Sequence, residues 1–429
     1  MKPSVTHTAI VVLFVGTISY LMAVFSYLSP PVVALEIMKT LHLNPDSLSL
    51  MFAATMVAYG LVQPLSGFWA DRFGPRWCLV LATAMLGLGS LLFSLSQGVV
   101  MGAFTRALVG VAAGVTLLPC MKLASNWFSP KYFGLASSAI IALSAAGNSM
   151  TGRPLAMAAE SFGWRATFAG VGVIGLVWTI LVFTIVRDRP KGPKCGQGED
   201  EPLPPAPIPT PGFMLTAKTI LKIPAFWLIG FLYVGTDMIY FSFNALWVGP
   251  YLMEVYGQPE IVVGNMISLA AISYFVGPPL LTLWGTFWSY SKVILMVTIL
   301  NVGLAIFFVT SPEIPGVWVL YLLCFLSPVG AQLTAMILVL GRELVPEHIG
   351  GSAMGFLNLF PIIGGAVMQK LVGRLLTVAP DQGEVITNVR ELYGYAFTPV
   401  LMYLIFVVFL AFWLVRYQSK SKNRLDSGS

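Results

Sequence analysis

Few ionisable residues fall inside the long apolar runs of this chain, and those few define its chemistry. Asp237 is the only carboxylate deep in a run, and Arg106 is the most deeply placed cation. Counted at about 1.5 Å per residue, Arg106 lies about 11 Å below the outer end of its run and Asp237 about 17 Å from either end of its own. An ionisable group at the centre of a span costs roughly 2.5–3.5 kcal/mol on insertion scales and as a rule faces a cavity. A carboxyl in such a place can carry a proton, and a guanidinium can hold an anion. Asp237, Tyr240 and Asn244 are spaced to share one face of a helix, the most specific polar constellation in the chain. Two readings stand for each charged group. Arg106 contacts a solute or braces neighbouring helices through their carbonyls. Asp237 exchanges a proton or pairs with a buried hydroxyl. Lys122 and Arg153 lie near the ends of runs, where long side chains snorkel to the interface. No nucleophile–base pair or phosphate loop is found, so an enzyme is not expected. His7, His42 and His348 sit in loops or at run ends. Cys78, Cys120, Cys195 and Cys324 have no paired spacing, so neither disulfide, metal site nor cofactor is read.

Elements that could hold these groups must be membrane helices. Of the 429 residues, 57% are hydrophobic and 10% charged, and the mean hydropathy is +0.82. A soluble domain of that length does not have this composition. The apolar segments are continuous rather than alternating, which excludes a β-barrel. The formal net charge of +6 resides in loops rather than in a stripe, so no nucleic-acid partner is expected. The run from Thr8 to Leu28 is too long for a signal-peptide core and lacks a small-residue cleavage site; it is read as the first span.

Twelve spans follow, each of the length a ~30 Å hydrocarbon core requires. They are Thr8–Leu28, Leu48–Ala70, Trp77–Leu95, Val99–Trp127, Phe133–Ala158, Ala166–Val186, Phe226–Val248, Ile261–Trp284, Val293–Val309, Val317–Leu340, Ser352–Val372 and Tyr395–Val415. Residues Glu160 to Arg165 read as an outer turn. The sequence thus divides into a six-helix bundle over 1–186, a linker over 187–224, a second bundle over 225–415 and a polar tail over 416–429. The linker opens basic, turns acidic at Glu199–Glu201 and is proline-rich over Pro202–Pro211, the composition of a solvated, semi-rigid spacer. Lys2, Arg72, Arg76, Lys131, the linker cluster, Lys292, Arg342 and the tail fall on one side. Lys39, Arg165, Lys370, Arg374 and Arg390 fall on the other. The richer side is cytoplasmic, and it holds both termini.

Between spans 2 and 3 runs Gly67-Phe-Trp-Ala-Asp71-Arg72-Phe-Gly74-Pro-Arg76. Gly67 permits close helix approach, Gly74 a tight turn with positive φ, and Asp71 suits the positive end of a neighbouring helix. The pattern resembles the signature loop between helices 2 and 3 of the major facilitator superfamily. Arg106-x-x-x-Gly110-x-x-x-Gly114 is similar to that family's second motif. Pro64-Leu-Ser-Gly-Phe-Trp69 is weakly repeated as Pro279-Leu-Leu-Thr-Leu-Trp284, with Thr286 and Ser291 where the second copy would carry Asp71 and Arg76. Leu246-Trp-Val-Gly-Pro-Tyr-Leu252 looks like bacterial members loosely described as anion or nitrate-type permeases, although the glycine-rich nitrate signatures are missing. Ala146, Gly147 and Gly152 before Pro154 match the antiporter motif only in part, because its Pro-Gly pair is absent.

The resemblance implies two six-helix bundles around a central cavity lined by helices 1, 4, 7 and 10, with the solute site near the midplane. Arg106 and Asp237 would then meet across it, beside Tyr20, Tyr27, Tyr240, Asn244 and Gln332. The loop of Gly67, Asp71, Arg72, Gly74 and Arg76 would be a cytoplasmic gate latch. The implied protein is a monomeric secondary transporter of the bacterial inner membrane, working by alternating access in the lipid bilayer. Buried cations outnumber the buried acid, which favours a small anionic organic solute with protons as coupling ion. Export of a drug-like or siderophore-like compound is the alternative, and a non-transporting sensor the third.

Overall fold

The computed structural model describes residues 3–190, 195, 213–310, 313, 316–346, 349–378 and 388–426. The proline-rich and acidic parts of the linker, His348 and the side chain of Asp71 lie outside them. Among the described residues the chain is helical, and its one extended pairing is the bridge of Phe128 with Cys195. Among the described residues twelve helices are long and apolar enough to cross a membrane, and they correspond to the twelve expected spans.

Contacts divide the chain into two compact units, residues 1–43 with 50–209 and residues 44–49 with 210–429. The first is built from α1 (Pro3–Leu28), α2 (Pro30–Leu41), α3 (Pro45–Phe73), α4 (Pro75–Ser94), α5 (Val99–Trp127), α6 (Pro130–Met150) and α7 (Arg153–Ile185). Proline opens α2, α3, α4 and α6, where its missing N–H costs nothing and its φ suits a first turn. Its core packs Leu79, Cys120, Leu123, Trp127, Ile140 and Val182 together.

Three features differ from the sequence reading. The loop after span 1 contains a helix, α2. Span 5 stops at Met150 rather than Ala158, because Thr151–Gly152 interrupts it and Pro154 starts the next helix. The expected outer turn at Glu160–Arg165 is helical on both sides of a break at Gly163, where φ is +76°. Glu36 of α2 explains that break: its carboxylate accepts the Trp164 N–H (3.3 Å) where the helix restarts. An acidic side chain is favourable at such an N-terminus.

The second unit contains α8 (Phe213–Leu221), α9 (Pro224–Ile239), a π-helical segment Tyr240–Trp247, α10 (Val248–Glu254), α11 (Glu260–Phe287), α12 (Tyr290–Thr310), α13 (Val317–Leu326), a 3₁₀ turn Gly330–Leu333, α14 (Thr334–Arg342), α15 (Gly350–Val378) and α16 (Val389–Asp426). The segment read as linker thus includes a helix, α8. Span 7 runs on to Glu254 rather than ending at Val248. Leu232, Tyr233, Ile294, Val297, Leu333 and Leu357 form part of its core. Phe243, Tyr251, Phe308 and Phe397 make a second, aromatic layer with ring centroids 4.2–6.4 Å apart. Residues 44–49 belong to this unit through Asp46. Its N–H donates to Thr377 Oγ1 (3.0 Å), and its carboxylate meets Lys370 Nζ at 2.5 Å. Both side chains are about a third exposed, so the pair contributes up to about 1 kcal/mol.

Large apolar side chains such as Leu81, Val100, Phe104, Leu280 and Phe409 are exposed on these helices. On a soluble protein such faces would be aggregation sites; on a membrane helix they face acyl chains.

Candidate functional site

Arg106 sits on the face of α5 that carries Gly102, Gly110 and Gly114, one residue every four. A Cβ on Gly110 would lie 2.2 Å from the Thr55 carbonyl, and one on Gly114 2.7 Å from the Tyr59 carbonyl. The glycines therefore let α5 lie directly on the backbone of α3, the geometry of small-residue membrane helix pairs. That contact buries Arg106 to 1% exposure. Its Nη1 donates to Ser26 O (2.9 Å), its Nη2 to Tyr27 O (3.3 Å) and its Nε to Thr55 Oγ1 (3.3 Å). The guanidinium also stands over the rings of Phe52 and Phe93. Ser26 and Tyr27 belong to the last turn of α1, whose carbonyls have no partner within their own helix. Arg106 thus caps the negative end of α1, and the geometry supports the bracing reading of this residue.

Tyr20 is half-buried against the first unit's core, and Tyr27 packs its ring on Tyr59 at 4.7 Å. Lys122 is half-buried, whereas Arg153 opens α7 and is exposed.

At the signature loop Gly74 has φ +82°, as the turn requires. A Cβ there would lie 2.9 Å from the carboxylate of Asp188. Asp188 Oδ1 accepts the Arg76 N–H (2.8 Å), so it caps the N-terminal end of α4. Arg76 Nη2 donates to Phe183 O at 2.6 Å, joining the start of α4 to the end of α7. The segment after α7 is tied down further. Asn126 donates to Asp188 O, Trp127 to Arg187 O, and Ser129 N–H to Cys195 O. The first linker residues are therefore docked on the bundle, and Cys195 is buried. Asp188 is a residue of this site that the sequence reading missed. Its signal is a single acid inside a basic run at a span's end.

In the second unit two helices break at one level. The α-helical path of α9 widens into the π segment at Tyr240, and α13 stops at Leu326 before Ser327-Pro328 and the 3₁₀ turn. Proline cannot continue the ladder, which accounts for the second break. The two breaks touch. The Thr236 carbonyl lies 1.9 Å from where a Gly330 Cβ would be, and it accepts Asn301 Nδ2 at 3.1 Å. Asp237 follows, 4% exposed, and its Oδ1 accepts from Thr236 Oγ1 at 3.3 Å. Among the described residues no cation pairs with it.

Residues of the expected Asp-Tyr-Asn face meet different partners. Tyr240 stacks on Tyr274 of α11 with centroids 5.2 Å apart. Asn244 Oδ1 accepts from Ser327 Oγ (3.0 Å), and its buried Nδ2 has no partner among the described residues. Gln332 Nε2 donates to Ser273 O and Oγ at 2.8 and 3.1 Å, in space left by Gly277. Asn301 Oδ1 is likewise buried without a partner. The arrangement is a polar layer across α9, α11, α12 and the α13–α14 break. It contains one carboxyl that can gain or lose a proton, together with unused donor and acceptor atoms. Substituting Gly330 by Ala forces a methyl onto the Thr236 carbonyl, at a cost of about 1–3 kcal/mol. Gly330→Ala is expected to lower the melting temperature of the purified protein, as scanning fluorimetry reads it, whereas Gly303→Ala, whose Cβ meets nothing within 4 Å, leaves it unchanged.

Residues 13–369 match the sequence profile of the Major Facilitator Superfamily. The chain is 25% identical to a hexuronate transporter of Bacillus subtilis (strain 168) over 265 residues, 60% of each protein. It is 22% identical to a probable galactarate/D-glucarate transporter of Escherichia coli (strain K12) over 80% of this chain and 81% of that one. Its fold superposes on the crystal structure of a bacterial homolog of the human lysosomal transporter Spinster with TM-score 0.75 and 14% identity, covering 97% of this chain and 98% of that one.

Proposed function

Since the chain belongs to the Major Facilitator Superfamily, we propose that it is a secondary transporter that moves a sugar acid or similar small organic anion across the bacterial inner membrane by alternating access, with protons as coupling ion. Membership and the transporter relatives support transport rather than catalysis. The anionic solute is supported by the hexuronate and galactarate/D-glucarate transporters it resembles. The observation that carries proton coupling is Asp237, a carboxyl buried in a span, hydrogen-bonded among the described residues only to a neutral hydroxyl and set at the meeting of two broken helices. An ionised carboxylate is costly there, and a proton is the smallest group that neutralises it. Discontinuous helices are where transporters of other folds bind solute and ion. In this reading the solute's hydroxyls meet the unused Asn244 amide and the Tyr240–Tyr274 stack. Arg106 holds the end of α1.

Uptake by purified protein in vesicles tests the whole reading. Radiolabelled hexuronate should accumulate when the outside is made acidic, and collapse of the pH gradient should abolish accumulation while leaving exchange. No uptake or exchange of any sugar acid would overturn the solute class. Orientation follows the charge distribution: reporter fusions after Pro205 and Ser429 should read cytoplasmic, and one after Asp381 periplasmic.

Asp71 is proposed to hold the inner gate closed through the dipole of a neighbouring helix, an effect of about 0.3–2 kcal/mol. Asp71→Asn should slow transport with membrane insertion unchanged. Ser291→Ala, in the charge-free second copy of the motif, should matter far less. Wild-type rates in Asp71→Asn would remove the gate role.

A further inference from the structure

In the first unit α3, α4 and α5 enclose a groove of about 560 Å³. Its walls are carbon: Trp69 and Phe73 from the end of α3, Trp77 and Leu81 from the start of α4, Val111 and Val115 from α5. Phe73, Trp77 and Leu81 are 56%, 48% and 62% exposed, so the groove opens on the outer face of the helices, where acyl chains lie.

One end of this groove is cationic. The Arg72 guanidinium lies 5.9 Å from the Phe73 ring, and that of Arg76 lies 5.7 Å from the Trp77 ring. Arg72 is exposed. Arg76 commits Nη2 to Phe183 O, and its Nε is buried without a partner. Residues 71–76 and 187–189 carry Arg72, Arg76, Arg187 and Arg189 against Asp71 and Asp188. Asp188 is already engaged by the backbone at the start of α4. The local balance is therefore positive, at the level where a span meets its loop.

An apolar trough ending at two guanidiniums matches a molecule with a hydrocarbon chain and an anionic head. A second copy of this chain fits less well, since a two-fold contact through this face would set like charges together. We propose that the groove holds an acyl chain of an anionic phospholipid from the leaflet adjoining the α3–α4 turn at Gly74, with the lipid phosphate on Arg72 and Arg76. That leaflet is the cytoplasmic one in the orientation given above, where anionic lipid and basic residues attract each other. The site is separate from the polar layer around Asp237, so it stands whether or not that layer moves protons.

The test uses the purified, delipidated full chain, titrated with phosphatidylglycerol and phosphatidylcholine of identical chains and read by native mass spectrometry. Wild type should retain phosphatidylglycerol in preference. Arg72→Gln should lower that preference about fivefold, and Arg72→Gln/Arg76→Gln should lower it again, with phosphatidylcholine retention unchanged. Location is read separately. Phosphatidylglycerol with brominated chains, added at one equivalent in detergent, should quench tryptophan fluorescence, and Trp77→Phe should remove a large share of the quenched signal. Equal retention of the two lipids by wild type, an unchanged preference in Arg72→Gln, or quenching unaffected by Trp77→Phe overturns the proposal. So does a lipid-free dimer as the main species, which would assign the groove to a second copy.

Discussion

Asp237→Asn is expected to abolish accumulation driven by a pH gradient while preserving exchange of solute across the vesicle membrane. The side chains are nearly the same size, and asparagine can still accept from the Thr236 hydroxyl 3.3 Å away, so the packing around the two helix breaks survives. What is lost is the proton. With one proton carried per solute, a gradient of about one pH unit, acidic outside, supports roughly tenfold accumulation in wild type. The variant should equilibrate without accumulating. Because binding and the conformational cycle persist, counterflow of labelled against unlabelled solute should stay near the wild-type rate. Asp237→Glu, which keeps a titratable group one methylene further out, should retain part of the accumulation. If Asp237→Asn accumulates solute as well as wild type does, the carboxyl is a structural partner of Thr236 and the coupling proton is carried elsewhere.

How much of this was legible beforehand differs between the two units. Span number and order were, because a bilayer accepts only helices with every backbone group bonded, and that demand writes itself as about twenty apolar residues each time. The positive φ at Gly74 was legible for a local reason: a turn between two spans leaves few residues to make it. The glycines of α5 were visible as a rhythm, but not the helix they lie on, since the Arg106–Thr55 contact joins residues 51 apart. Asp188 was hidden by a separation of 112 residues from Arg76. The break at Ser327-Pro328 had a signal in its proline. The π segment had none. Tyr240–Trp247 contains neither proline nor glycine, so periodicity continues an α-helix through it and keeps Tyr240 and Asn244 on one face. The distant partners of the two side chains, Tyr274 and Ser327, were not legible from that periodicity.

Arg106→Ala separates the two readings of the buried guanidinium. If the residue caps α1, its removal takes the guanidinium donor from the Tyr27 carbonyl and leaves the Ser26 carbonyl with only the Ser29 hydroxyl, 3.0 Å away. Each such loss costs about 1–3 kcal/mol, and emptying the space between Phe52 and Phe93 adds a cavity term. A total of about 3–4 kcal/mol should lower the melting temperature by roughly 3–5 °C and reduce the yield of folded protein. Arg106→Lys should recover part of this, because an ammonium can donate to one or both carbonyls but cannot reach Thr55 with the same fork. Thr55→Val removes only one of the three hydrogen bonds, at 3.3 Å, and should cost about 1 kcal/mol. In the double variant Thr55→Val should add little to Arg106→Ala, since the partner is already gone. The opposite pattern is equally readable. An Arg106→Ala protein that melts with wild type but no longer exchanges solute would place the guanidinium in the binding site and refute the capping role.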